Sequence, residues 1–122
     1  KAKFFRHYLD SQSAPRPTLV DPAALTVGET LVADFIRAQT ARGVRVVGLL
    51  PPTFDDTPYD PAALSRLKRL FQTHGGAFLP LDNLATYPRS CFYDTAYHLT
   101  EECQKKHTAR VAGALRAGKA KW

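Results

Sequence analysis

Methionine is absent from all 122 residues, tryptophan occurs once, and cysteine only twice. A chain with no Met even at its first position is expected to be a processed product or a piece of a longer polypeptide, and its opening Lys-Ala-Lys-Phe-Phe-Arg does not read as a secretory signal. No apolar run approaches the ~18 residues of a membrane-crossing helix. The longest, Val44 to Pro52, is interrupted by Arg45, so no transmembrane segment is expected. There is no CxxC, and no Cys/His pair has zinc-finger spacing, which argues against a structural zinc site. No site for an organic cofactor is visible, and no internal repeat or low-complexity tract occurs. What remains is ordinary: 44% hydrophobic and 23% charged residues, enough for one modest globular domain and a poor fit to disorder or coiled coil.

The net charge is +6, from 17 Lys and Arg against 11 Asp and Glu. A basic domain raises nucleic acid as a partner. The distribution weakens that idea, because Asp55 to Asp60 is acidic and the positive excess lies at Lys1, Lys3 and Arg6 and in a tail from Lys105 to Lys121. That tail reads as a solvated basic end complementing a helix dipole. No nucleic-acid recognition motif accompanies it, so no nucleic-acid partner is expected. Cys91 and Cys103 lie twelve residues apart. They form a disulfide if the protein is exported, or serve as two buried inert thiols; the spacing leaves both open.

Residues 1–27 read as an irregular, Pro-rich connecting segment, with a short helix over Lys1 to Asp10 ahead of Pro15, Pro17 and Pro22. Helical spacing then places Leu31, Val32, Phe35 and Ile36 on one face, with Gly43 ending the run. Val44-Arg-Val-Val-Gly-Leu-Leu follows as a strand covered on both faces, stopped by Pro51-Pro52. A second unit repeats the scheme. Asp60-Pro61 starts a helix with Leu64, Leu67, Leu70 and Phe71 on its buried face, and His74 and Gly75-Gly76 close it. Ala77-Phe-Leu-Pro-Leu is a short strand at an exposed edge because of Pro80. A loop spans Asp82 to Leu99. A last helix, capped by Thr100, buries Cys103, His107, Val111 and Leu115 until Gly118; residues 119–122 form a tail. This order implies an α/β domain with short parallel strands. Two strands cannot bury such a sheet alone, so residues 28–118 read as the back half of a doubly wound domain, completed by a missing N-terminal segment or a second chain.

Ligands in open α/β sheets collect at the carboxyl ends of the strands, where the loop before the last helix lies. It contains Phe92-Tyr-Asp-Thr-Ala-Tyr-His-Leu-Thr-Glu-Glu. A carboxylate on the Nδ1–H of a histidine fixes its tautomer and leaves Nε2 as a general base. Asp94 and His98 have the residue types for that pairing. Around them, Tyr87, Tyr93 and Tyr97 either wall a substrate pocket or cover the sheet edge. His107 reads as a partly buried core residue and His74 as a helix cap.

This stretch through Gln104, with Gly48-Leu-Leu-Pro-Pro-Thr before it, resembles the C-terminal half of SGNH (GDSL-like) hydrolases. The similarity is strongest to bacterial members linked to acylation of cell-envelope polysaccharides, and it covers roughly residues 30–117. It implies a three-layer α/β/α, flavodoxin-like fold, serine-type acyl-ester chemistry without metal or cofactor, an acyl-ester or glycan substrate, and an exported or periplasmic location. Position by position, Asp94 corresponds to the orienting acid and His98 to the base, although the commoner family spacing is Asp-x-x-His. The Gly-Asp-Ser nucleophile block and the Gly and Asn oxyanion positions have no counterpart. Leu9-Asp10-Ser11 is the nearest mimic, lacking the strand and glycine that such a nucleophile turn needs; Ser13, Ser65 and Ser90 have no better context, and Asn83 comes too late in the chain. The expectation is half of an esterase or O-acyltransferase site, inactive alone. The alternative is a non-catalytic glycan- or protein-binding module on the same fold.

Overall fold

The computed structural model describes residues 9–11, 25–57 and 59–120. The readings made for Lys1, Lys3, Arg6, Ser13, Pro15, Pro17 and Pro22, and most of the Lys1 to Asp10 helix, lie outside these residues. Within them the chain is a small α/β fold of helices and short parallel strands. Its order is α1 (Val27–Thr40), β1 (Val47–Gly48), β2 (Thr53–Phe54), α2 (Pro61–Thr73), β3 (Ala77–Phe78), β4 (Thr86–Tyr87), a 3₁₀ turn (Arg89–Cys91) and α3 (Glu101–Arg116). The strands form two separate parallel pairs, β1 with β3 and β2 with β4. The chain divides into two compact units, one holding α1, β1, α2 and β3, the other residues 9–11, β2, β4 and α3.

In the first unit, α1 begins where Thr26 caps it. The Thr26 hydroxyl accepts from the Glu29 amide at 3.2 Å, and the Glu29 carboxylate accepts from the Thr26 amide at 2.7 Å. This reciprocal box satisfies two of the donors a helix start leaves open. Glu29 also receives both prongs of the Arg66 guanidinium, at 2.5 and 2.8 Å, from the middle of α2. Their side chains are only 15% and 10% exposed. Arg66 thereby holds the Glu29 carboxyl at about 2, well below its ordinary 4.5.

The helix faces differ from expectation. α1 buries Ala33 and Ile36 and leaves Leu31 and Phe35 exposed. Together with Val27, these last two form an exposed stripe at four-residue intervals. The apolar pattern alone marks a stripe, and the neighbours decide which stripe is covered. Likewise α2 buries Ala63, Arg66 and Leu70, while Leu64, Leu67 and Phe71 are half-buried. The segment read as a strand covered on both faces pairs only over Val47–Gly48, and Val44 and Leu49 are exposed.

The helix ends agree with the sequence. Asp60 caps α2, its carboxylate accepting from the Ala62 amide at 2.9 Å. At the other end His74 Nδ1–H donates to the Leu70 carbonyl at 2.7 Å. Gly43 and Gly75 sit at φ 78° and 87° just past α1 and α2, a conformation that costs glycine least. Gly48 is required for a different reason. A Cβ there would meet the Phe71 ring at 2.4–2.6 Å, so the aromatic ring lies against bare backbone.

In the second unit the core gathers Leu9, Phe54, Tyr87, Phe92, Ala96, Leu99 and Cys103. Phe54 and Phe92 meet edge to face, ring centroids 4.8 Å apart. Arg89 lies over the Phe54 ring at 4.1 Å, pairs with Asp56 at 2.6 Å and donates to the Leu9 carbonyl. The Arg89 pairing lowers the Asp56 carboxyl below its usual range. The span read as a plain loop from Asp82 contains β4, and β4 is entered through a tight turn. Leu84 and Ala85 hold φ 50° and 57°, a region that costs non-glycine residues roughly 1–2 kcal/mol each. Asn83 stabilises it, its amide donating to the Thr86 carbonyl at 2.8 Å and its oxygen accepting from the Ala85 amide at 3.2 Å. The residue with no place in the catalytic pattern thus has a structural one. α3 buries Cys103 and Ala114, with His107 and Val111 half-buried and Leu115 exposed; the last turn departs from the expected stripe.

Candidate functional site

The segment between the 3₁₀ turn and α3 is a small antiparallel hairpin. Phe92 bridges Leu99, the Tyr93 amide donates to the His98 carbonyl at 2.8 Å, and the Thr100 amide donates to the Cys91 carbonyl at 2.8 Å. Phe92 and Leu99 bury their side chains in the core just described, which fixes the register. Of the residues between them, Ala96 turns back into the core and the others form an exposed to half-buried tip. Cys91 and Cys103 form a disulfide across the base of the hairpin, with Cα atoms 5.5 Å apart. Of the two readings left open for these cysteines, the structure takes the disulfide. Gln104, from the first turn of α3, adds a hydrogen bond to the Leu99 carbonyl at 2.9 Å.

Asp94 and His98 lie on this tip. The His98 Nδ1–H donates to Asp94 Oδ1 at 2.7 Å. A carboxylate can only accept, so the neutral ring carries its hydrogen on Nδ1 and leaves the Nε2 lone pair free. The turn is held by its own backbone, the His98 amide donating to the Thr95 carbonyl and the Tyr97 amide to the Thr95 hydroxyl. Side-chain exposure is 65% for His98 and 33% for Asp94, so the pair stands at a surface open to an incoming group.

Beside it lies an open depression of about 330 Å³. Tyr97, His98 and Leu99 wall it from the hairpin, Gln104, His107 and Thr108 from α3, and Pro52 completes it. The three tyrosines expected around the site divide. Tyr97 lines the depression; Tyr93 is exposed on the hairpin without lining it; Tyr87 is buried, its hydroxyl 3.0 Å from His107 Nδ1. Burial and the Arg110 charge lower the pKa of His107 from its ordinary value. His107 is the residue the sequence underrated. Its place on the apolar stripe of α3 suggested packing alone, whereas the ring also walls the depression that His98 opens onto.

No described serine lines this depression. Ser11 and Ser90 are exposed elsewhere in the same unit, and Ser65 is on α2 in the other. Among the described residues, no cluster of three His, Cys, Asp or Glu side chains is placed to hold a metal ion. No described helix is long and apolar enough to cross a membrane. What the arrangement offers chemically is an oriented imidazole with a free Nε2 at the edge of an aromatic-walled hollow. No family model, curated protein or solved structure matches the chain.

Proposed function

We propose that the chain is the Asp/His-bearing part of an SGNH-like serine esterase or O-acyltransferase acting on acyl esters of envelope glycans. The observation that carries the reading is the 2.7 Å Asp94–His98 hydrogen bond at the edge of a depression. A carboxylate in that position stabilises the imidazolium that forms when Nε2 takes a proton from a nucleophilic hydroxyl. The serine itself comes from residues beyond those described or from a second chain, which would also complete the three-layer α/β/α sheet. The exposed stripe of Val27, Leu31 and Phe35 supports such a completing body. The Cys91–Cys103 disulfide supports an exported or periplasmic setting, since disulfides persist in oxidising compartments.

The test is labelling of the protein produced from its own gene with a fluorophosphonate, followed by mass spectrometry. The reading expects one serine labelled, and labelling lost in His98→Ala while the circular dichroism spectrum is retained. Unchanged labelling in that variant, or no labelled serine at all, contradicts it.

A second reading is a non-catalytic glycan-binding module. It is favoured by the absence of a described serine in the depression and by the exposed rings of Tyr93 and Tyr97, since aromatic faces suit sugars. It expects glycan binding that survives His98→Ala and falls in Tyr97→Ala, measured by calorimetry.

A further inference from the structure

The hydrogen of the Tyr87 hydroxyl has to go somewhere. Tyr87 is almost wholly buried, and a buried phenolic hydrogen without an acceptor is costly. Its hydrogen-bond partner among the described residues is His107 Nδ1, 3.0 Å away, and a hydroxyl that must donate assigns the acceptor role to that nitrogen. An imidazole that accepts at Nδ1 is neutral and carries its own hydrogen on Nε2. The surroundings agree, because burial of the ring and the nearby Arg110 both disfavour the imidazolium. Arg110 lies 6.0 Å over the Tyr87 ring, on the same side chain that fixes the tautomer. With Nδ1 turned to Tyr87, the other ring nitrogen of His107, a residue that walls the depression, carries the hydrogen as Nε2–H.

We propose that His107, set in its Nε2–H tautomer by Tyr87, is a ligand-binding residue that donates a hydrogen bond to the carbonyl oxygen of an acyl ester seated in the depression. The two imidazoles that wall this hollow are then complementary. His98 has its hydrogen on Nδ1, held by Asp94, and presents a lone pair; His107 has its hydrogen on Nε2 and presents a donor. An acyl ester about to be attacked by a hydroxyl needs both, an acceptor for the hydroxyl proton and a donor for the carbonyl oxygen as charge develops on it. Gln104, one helical turn before His107 on the same wall, gives one amide hydrogen to the Leu99 carbonyl, and the hydroxyls of Tyr97 and Thr108 belong to the same lining, so the His107 variants below are what isolate its donor role. The choice of an acyl carbonyl as ligand rests on the proposed function; the tautomer and the donor do not.

The experiment is nitrogen-15 NMR of the histidine rings in the intact chain, titrated with methyl 6-O-acetyl-glucopyranoside, with methyl glucopyranoside as the control. The inference expects the Nε2–H pattern at His107 before any probe is added, and its loss or mixing in Tyr87→Phe. It expects a saturable shift of His107 Nε2 with the acetylated probe and none with the control. The apparent dissociation constant should rise about tenfold in His107→Leu, the scale of one lost hydrogen bond, and stay near wild type in His107→Gln, which keeps a donor. An Nδ1–H pattern at His107, an equal response to the unacetylated sugar, or no saturable shift overturns the inference. Binding at His107 without any His98-dependent serine labelling overturns the esterase reading instead, so the two failures are distinguishable.

Discussion

Opening the Cys91–Cys103 bridge should destabilise the unit that carries Asp94 and His98 by about 3 kcal/mol. The cysteines are 12 residues apart, and a loop of that length, closed covalently, loses chain entropy in the unfolded state by about that amount at 25 °C. In a domain of this size, each kcal/mol moves the melting midpoint by about 4–8 °C, so the expected fall is roughly 12–24 °C. Local consequences follow from what remains. The Phe92–Leu99 bridge and the Thr100–Cys91 backbone bond persist without the sulfurs, so the hairpin frays at its tip before α3 melts. The assay is thermal unfolding by circular dichroism with and without a phosphine reductant, alongside Cys91→Ala/Cys103→Ala. The double variant should melt where the reduced wild type melts and ignore the reductant. Amide exchange at Tyr93 and His98 should accelerate before that of the α3 amides. Midpoints within about 2 °C in all conditions would refute the reasoning, because a loop-closing bridge with no measurable effect contradicts the chain-entropy argument.

Three further outcomes are expected. Glu29→Gln should cost about 2 kcal/mol in denaturant melts, since it replaces the carboxylate that takes two charge-assisted hydrogen bonds from the largely buried Arg66 guanidinium. The Glu29 carboxyl is lowered to about 2, so its contribution is complete above pH 4.5 and is lost as the pH falls toward 2; the variant should lack that part of the acid dependence. Gly48→Ala should destabilise by about 1–3 kcal/mol through overpacking against Phe71, and Phe71→Ala in the same chain should recover part of the loss in urea titrations. Asn83→Ala should cost about 1–2 kcal/mol by removing both side-chain bonds that hold Leu84 and Ala85 in their left-handed turn, read as a lower urea midpoint with an unchanged slope.

Helix ends were legible from the sequence because their signals are local. Asp60-Pro61, Gly43 and Gly75 each act within a turn of where they stand, whereas Thr100 occupies the N-cap of α3 without a side-chain capping bond. The capping box of Thr26 and Glu29 is equally local, yet the reading of residues 1–27 as an irregular connection passes over it. The helix faces were less legible, since Leu31 and Phe35 have the same spacing whether or not a neighbour covers them. Arg66 is buried because its partner lies 37 residues away, a distance no periodicity reports. β2 and β4 are two residues each and exist through mutual pairing, so the prolines before β2 read as an end when they were a beginning. At the site, a four-residue spacing was enough to bring Asp94 and His98 together. The hairpin that displays them depends on the register of Phe92 with Leu99, and the role of His107 depends on Tyr87 twenty residues earlier. Both come from tertiary packing.

The proposed role of His98, oriented by Asp94, is that of the base in an acyl-transfer site. Its most direct test is acetate release from an O-acetylated glycan by the protein produced from its own gene, compared with His98→Ala and Asp94→Asn. The expected fall is about 10³-fold for His98→Ala, within the ~10²–10⁴ contributed by a general base, and up to about 10⁴-fold for Asp94→Asn, which leaves the imidazole in the wrong tautomer. Wild-type turnover in a folded His98→Ala protein would contradict it.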